Sequence, residues 1–443
     1  MKYKKLITNR ILITATLLIL QVVWIVLVFW RLTSYSIWIN ASFRILSMFI
    51  VLYIIGKDEN AAYKIAWIIL ILCLPLFGGL MYLFLGNKNP SKKMKKRLTL
   101  SHKRIEKEFQ VEEEALDEMR SLDERAAGVS AYLKNVSDYR AYKNTDVTYY
   151  PLGELMFRDM LAALESAEYY IFLEFFIVEE GVMWNKVLEI LERKVSQGVD
   201  VRMMYDDMGC VALLPGGYAK ELEKRGIKCM AFNPVIPFFS MVMNHRDHRK
   251  ILVVDGHTAF TGGINLADEY INLKKRFGHW KDTGIRLKGE AVWSFTLMFL
   301  EMWNAYRKED KNLEQYRPRL HHPQPFSGSG YVQPFAQSPL ENEAVAENVY
   351  MEILNQARHY CYIFTPYLIV DNEMKAALTQ AARRGVDVRI VTPGIPDKPL
   401  VFRLTRSNYA PLLKAGVRIY EYTPGFIHAK SFVCDDEMAV VGT

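Results

Sequence analysis

Cysteine is scarce: Cys73, Cys210, Cys229, Cys361 and Cys434 are the only five in 443 residues. Their number is odd, their positions are scattered, and no two have the spacing of metal ligands. That excludes a disulfide framework and a cysteine-held metal as organising devices. An excess of one charge is also missing, with 56 basic residues against 49 acidic ones and a net charge of +7. No basic stripe with interleaved aromatics accompanies the motifs described below, which weighs against nucleic acid as a partner.

Apolar residues are abundant, at 51% of the chain, and much of this sits near the N-terminus. Residues 11–30 carry no charge and are long enough to cross a bilayer as a helix. Residues 65–85 form a second such run, broken only by Pro75 and Gly78-Gly79. Between them, residues 36–55 are apolar but include Asn40 and Arg44. They read as a third span, with a re-entrant or interfacial piece as the alternative. The first run is long for a signal peptide, lacks a small-residue cleavage site and is followed by further apolar segments, so it reads as an anchor. Lys2, Lys4, Lys5 and Arg10 precede it, and Lys88, Lys92, Lys93, Lys95, Lys96 and Arg97 follow the last apolar run. The positive-inside rule places both flanks in the cytoplasm, which requires an even number of crossings. The second cluster is the stronger, so the bulk of the chain is expected on the cytoplasmic side of a cell membrane. The same cluster can also attract anionic lipid, by about 1 kcal/mol per basic residue.

The length allows two or three domains. Residues 1–87 are expected to form an anchor of two or three membrane helices, and 88–128 a charged helical connector ending near Gly128. Residues 129–310 form a first soluble half. Residues 311–340 read as a linker, because Pro318, Pro323, Pro325, Gly328, Gly330, Pro334 and Pro339 crowd them. Residues 341–443 form a second half.

The halves echo each other. Buried-strand patterns at 169–177 and 360–364 are each followed by a helical stretch and then by Gly-Val-Asp-Val-Arg, at 198–202 and 385–389. Strands alternating with helices predict an α/β fold, duplicated, each half a mostly parallel sheet flanked by helices.

One spacing recurs in both halves. His248, Lys250 and Asp255 fit His-x-Lys-x-x-x-x-Asp, and so do His428, Lys430 and Asp435. A single copy is a weak signal. Two copies in duplicated halves point to one site built from both. Residues two apart on an extended strand face the same way, so each histidine shares a pocket with its lysine. One histidine can attack phosphorus and form a covalent intermediate. The other can protonate the leaving alcohol and later deprotonate the incoming one. The lysines place positive charge where phosphoryl oxygens gain negative charge. This is phosphate-ester chemistry that needs no metal or other cofactor. Asp255 and Asp435 are expected to orient and polarise rather than react.

This paired motif resembles that of the phospholipase D superfamily. Gly262-Gly263-Ile264-Asn265 matches the family's GGxN tail. Phe232-Asn-Pro234, Asn244 and Arg246 ahead of the first motif look like bacterial cardiolipin synthases. So do Asp206-Asp207-x-Gly209, Thr365-Pro-Tyr367 and the block of Tyr63, Lys64, Ala66, Trp67, Pro75, Gly78, Tyr82 and Gly86. The resemblance covers nearly the whole chain. It implies a multi-pass enzyme of the bacterial cell membrane acting on phosphatidylglycerol among anionic lipids, with no nucleic acid involved. It implies that His248 attacks the phosphorus of one phosphatidylglycerol, that His428 protonates the departing glycerol, and that a second phosphatidylglycerol completes cardiolipin. Asn265, with Gly263, would help bind phosphate. A hydrolytic phospholipase D and, less fittingly, a nuclease of the same superfamily are the alternatives. The apolar stretch 234–243 is expected to dip into the lipid interface beside the site, with a core strand or loop as the alternative; Pro234 and Pro237 oppose a central strand. The family continues beyond the second motif with a Gly-Thr/Ser-x-Asn segment, whereas this sequence stops at Gly442-Thr443. The partner of Asn265 is absent, which reads as an incomplete sequence.

Overall fold

The computed structural model describes residues 37–86, 90–109, 114–235, 245–307, 312–338 and 343–443. It also describes 19, 20, 22–24, 26–28, 30, 31, 310, 340 and 341. Most of the first expected span, the apolar stretch from 236 onward and Asn244 lie outside the described residues. Two compact units emerge, one of residues 1–94 with 233–246 and one of residues 95–232 with 247–443.

In the first unit, helix α1 (Ile37–Ile55) is followed by α2 (Ala61–Cys73) and α3 (Pro75–Leu85). Asn60 starts α2 by accepting a 3.0 Å bond from the amide of Ala62. The apolar run 65–85 is not one helix. Pro75 has no amide hydrogen and its ring clashes with the preceding turn, so it ends α2 and opens α3 at its first position. Gly78 lets α3 lie against α2, because a Cβ there would meet the Leu70 carbonyl at 2.6 Å. Ile50, Ile54, Ile71 and Tyr82 form the small core. Among the described residues no helix is long and apolar enough to cross a membrane, so none of them shows the multi-pass anchor expected over 1–87.

Helix α4 (Lys92–Phe109), which belongs to the second unit from Lys95 onward, is followed there by α5 (Glu114–Leu122) and α6 (Glu124–Ser137). The carboxylate of Asp123 caps α6 by accepting from the amides of Arg125 and Ala126. The helix does not stop near Gly128 but runs through it to Asp138, whose φ of 59° ends it. Val129 and Leu133 of α6 are buried in the core of the second half.

The first half comprises β1 (Thr145–Tyr150), α7 (Gly153–Ser166), β2 (Tyr170–Phe175), α8 (Val182–Ser196), β3 (Asp200–Asp206), α9 (Tyr218–Lys224) and β4 (Lys228–Phe232). After these come β5 (Ile251–Val254), β6 (Thr258–Gly262), β7 (His279–Lys281), β8 (Gly284–Gly289) and α10 (Val292–Tyr306). The second half comprises α11 (Val345–Gln356), β9 (Tyr360–Phe364), α12 (Asn372–Arg383), β10 (Asp387–Pro393), α13 (Pro399–Ser407) and α14 (Tyr409–Ala415). It ends with β11 (Arg418–Tyr422), β12 (Gly425–Ile427), β13 (Ser431–Cys434) and β14 (Met438–Val441).

The main sheets run β1-β8-β6-β5-β2-β3-β4 and β11-β10-β9-β13-β14. The order β4-β3-β2-β5-β6 in the first is repeated as β11-β10-β9-β13-β14 in the second, so the duplication extends to strand order. Strands joined by crossover helices are parallel as expected: β2 with β3, β3 with β4, β9 with β10 and β10 with β11. The motif strands β5 and β13 instead pair antiparallel with β2 and β9, and their short hairpins to β6 and β14 are antiparallel too. Each sheet is therefore mixed. The repeated Gly-Val-Asp-Val-Arg turns helix into strand in both halves, with Gly198 and Gly385 at φ of 90° and 96°. The halves are stitched together by β12 of the second, which pairs parallel with β7 of the first. The proline-rich segment is anchored: Val332 bridges to Tyr142, and the carbonyl of Tyr316 accepts a 2.8 Å bond from the Tyr170 hydroxyl.

Candidate active site

Both histidine–lysine pairs lie just ahead of their strands, not inside them. Alternation still applies. Lys250 Nζ lies 3.2 Å from His248 Nδ1 and donates to the His248 carbonyl at 2.5 Å. Lys430 Nζ lies 2.7 Å from His428 Nε2 and donates to the His428 carbonyl at 2.5 Å. Arg249, between the first pair, points the other way, its Nε 2.7 Å from the Glu174 carboxylate on β2. Residues 251–254 are all buried, as the apolar run requires.

Two cross-connections bring the pairs together. The amide of His428 donates to the carbonyl of Lys281 at the end of β7. The amide of Gly442 donates to the Lys430 carbonyl, and the adjoining Thr443 hydroxyl lies 3.0 Å from His248 Nδ1 and donates to the His248 carbonyl at 2.7 Å. Phe176 packs beside His248, its ring centre 4.7 Å away. Trp280 and Tyr270 wall His428 at 5.4 and 5.6 Å.

Asp255 and Asp435 are not in this cluster. They sit at the far ends of β5 and β13, about 16 Å along the strand from the lysines at ~3.3 Å per residue. Asp255 accepts bonds of 2.8 Å from the amides of Glu168, Tyr169 and Tyr170. Asp435 accepts from Arg358, His359 and Tyr360 at 2.7–2.9 Å. Both adopt left-handed backbone, with φ of 48° and 53°. They tie the start of β2 and β9 to the motif strands. Burial opposes the charge on Asp435, yet its three amide donors hold the carboxyl below its usual range.

Asn265 and Gly263 also sit differently from the expected phosphate contacts. The Asn265 carbonyl accepts from the Ile177 amide at 3.0 Å, and its amide group donates to the Tyr270 hydroxyl at 2.8 Å. Gly263 leaves room for another side chain, since a Cβ there would fall 2.0 Å from Asp282 Oδ1.

Asp282 is the residue that sequence spacing does not reveal. It follows β7, is fully buried, and its Oδ2 lies 2.7 Å from His428 Nδ1. The Trp280 indole and the Thr283 amide also donate to it. Its contact fixes the His428 ring with Nδ1–H toward Asp282 and Nε2 toward Lys430. Burial opposes its charge, but His428 and Lys430 keep its carboxyl below the usual range.

The electrostatics favour an anion. Desolvation, then the charges of Lys250, Lys430 and His428, push the His248 imidazole down to about 2. Burial and Lys430 push His428 down to about 4, against the pull of Asp282. Burial lowers Lys430 to about 7 and, with Lys430 nearby, holds Lys250 well below the usual lysine range. Both imidazoles are thus neutral at neutral pH, and the carboxylate places the two on different footings. A phosphodiester in their midst would relieve the repulsion among the cationic groups.

Known proteins similar to this chain fall in one family. The chain matches the family model described as "Cardiolipin synthase, PLD-like domain" over residues 160–277 and 350–443. Residues 45–87 match "Phospholipase_D-nuclease N-terminal". A cardiolipin synthase of Geobacillus sp. (strain WCH70) is 34% identical over 89% of this chain and 78% of its own length. Cardiolipin synthase 2 of Staphylococcus epidermidis is 32% identical over 89% and 81%. An uncharacterized protein of Streptococcus mutans serotype c is 48% identical over 89% and 85%.

Proposed function

This chain belongs to the cardiolipin synthases with phospholipase D-like domains, a family of phosphatidyltransferases, and on that premise we propose that it joins two phosphatidylglycerol molecules into cardiolipin and glycerol. The observation that carries this reading is the meeting of His248–Lys250 with His428–Lys430, backed by Asp282. The reading makes the two extended segments one catalytic centre.

The Nδ1 of His248 faces Lys250 and Thr443, which leaves Nε2 to attack. A P–N bond forms to His248 as the P–O bond to glycerol breaks. His428 supplies the proton that glycerol needs to leave. Its Nδ1 is held by Asp282, so Nε2 carries that proton, and the bound phosphodiester raises its basicity. His428 then takes the proton of the second phosphatidylglycerol's hydroxyl as that oxygen displaces His248 from phosphorus. Atoms balance as two phosphatidylglycerols giving one cardiolipin and one glycerol. Lys250 and Lys430 offset the charge gained on the non-bridging oxygens.

The enzyme would work at a bacterial cell membrane. Ile45, Met48, Phe49 and Leu52 of α1 are 58–66% exposed, an apolar face suited to lipid. The test is to supply labelled phosphatidylglycerol to the full-length protein in membranes. Cardiolipin with free glycerol is expected; phosphatidate alone, the product of water in place of the acceptor, would overturn the reading. Acid quenching assigns the histidines: a phosphatidyl adduct should be lost in His248→Ala and retained in His428→Ala, and the reverse pattern would exchange their roles.

A further inference from the structure

Helix α13 is patterned inside out. Pro399 opens it. Its buried contacts are polar: Thr405 accepts a 3.1 Å bond from the Leu368 amide, and Asn408 donates to the Leu368 carbonyl at 3.0 Å. Its outward face carries Leu400 and Leu404, 74% and 53% exposed. These are four residues apart, so they share one face with the exposed Arg403. Ile369 and Ile395, 53% and 42% exposed, belong to the segments on either side.

Hydrogen bonds weld these segments into one rim. Leu368 is held to α13 as above, while the neighbouring Tyr367 hydroxyl donates to Asp397 at 2.6 Å and receives Lys398 Nζ at 3.1 Å. The rim borders the candidate active site, since the amide of Ile395 donates to the carbonyl of Gly425, the first residue of β12, which runs directly into His428. Single exposed aliphatic residues are ordinary on a protein surface; several on one tied rim, interleaved with lysine and arginine, are not.

The geometry points to this rim of Ile369, Ile395, Lys398, Leu400, Arg403 and Leu404 as a docking surface for an anionic lipid bilayer, seating the second half on the membrane at the mouth of its site. The inference rests on the lipid-substrate reading above. Charge complementarity argues for a bilayer. The leucines can enter the acyl boundary while Arg403 and Lys398 lay their stems along it and keep their heads among anionic headgroups. A bilayer seated here would also present phosphodiesters beside Lys398.

The test uses the full-length protein in bilayer discs containing phosphatidylglycerol. In Leu400→Ser/Leu404→Ser, turnover of long-chain phosphatidylglycerol in the disc should fall about tenfold, as expected for the loss of two membrane-inserting side chains. Turnover of monomeric dihexanoyl phosphatidylglycerol should stay unchanged. Equal loss on both substrates, or loss on neither, overturns the docking. A second measurement does not depend on turnover. A fluorophore on Leu404→Cys, in a Cys73→Ser background, should be quenched by lipids spin-labelled below the headgroup, and one on Leu320→Cys should not. An unquenched Leu404→Cys probe overturns the docking. If the parent enzyme turns over neither substrate, the functional reading fails, and the quenching alone decides the docking.

Discussion

Asp282 of the first half holds Nδ1 of His428 of the second at 2.7 Å, across 146 residues of sequence. No spacing rule connects the two, yet the contact orients an imidazole and raises its proton affinity against burial and Lys430.

Asp282→Asn keeps the shape of this side chain and removes its charge. Turnover should fall about 10²–10⁴-fold, the range of positioned acid–base catalysis. The alkaline limb of the pH–rate profile should move down as well, because the imidazolium that protonates glycerol loses its buried counter-charge. An unchanged profile would show that Asp282 serves packing alone. Gly263→Ala should reproduce the loss, since its added methyl would occupy the space of Asp282 Oδ1.

The two motif aspartates should behave unlike the histidines. Asp255→Asn removes an acceptor for one of the three amides it binds, which costs about 1–3 kcal/mol where that amide is buried. Thermal unfolding should shift down accordingly. Turnover per folded molecule should change far less than in His248→Ala. An equal loss of turnover would return Asp255 to the chemistry.

Lys430 predicts a pH dependence of stability. Its folded value of about 7 lies below the ordinary 10.5, so between these values the unfolded chain binds more protons than the folded one. Stability contributed by this group therefore rises with pH from about 7 to 10.5 and is flat above. Melting temperatures of the parent protein should rise relative to Lys430→Met across that window. Parallel curves would contradict the depressed value.

Glu174 is fully buried, and Arg249 is its counter-charge. Burial pushes the Glu174 carboxyl well above the carboxylate range, and Arg249 opposes that. Arg249→Met should cost about 3–5 kcal/mol, as expected when one partner of a buried pair is removed. The double variant Glu174→Met/Arg249→Met should recover most of it, as urea unfolding would show. Additive losses would mean that the two residues act independently.

The duplicated halves, the pairing of each histidine with its lysine and the buried strands behind them were legible in the chain. These depend on periodicity and on neighbours two to five residues away. The linker's proline density was equally visible, but its anchoring through Tyr316 and Val332 was not. Asp255 and Asp435 illustrate the limit. Recurrence marked them as important, but whether a carboxylate faces substrate or caps a strand depends on which amides lie opposite it. Those amides belong to residues 85–87 positions away in the first half and 75–77 in the second. The same holds for Asn265, whose amide is occupied by Ile177 and Tyr270.

Sequence alone therefore determined the repeat, the candidate reacting side chains and the α/β alternation, because local spacing dictates them. Tertiary structure decided the mixed pairing of the sheets, the break at Pro75, the amide partners of both aspartates and the partnership of Asp282 with His428. Each of these arises where distant segments meet, and the free energy of a buried charge or hydrogen bond is set by the partner found there.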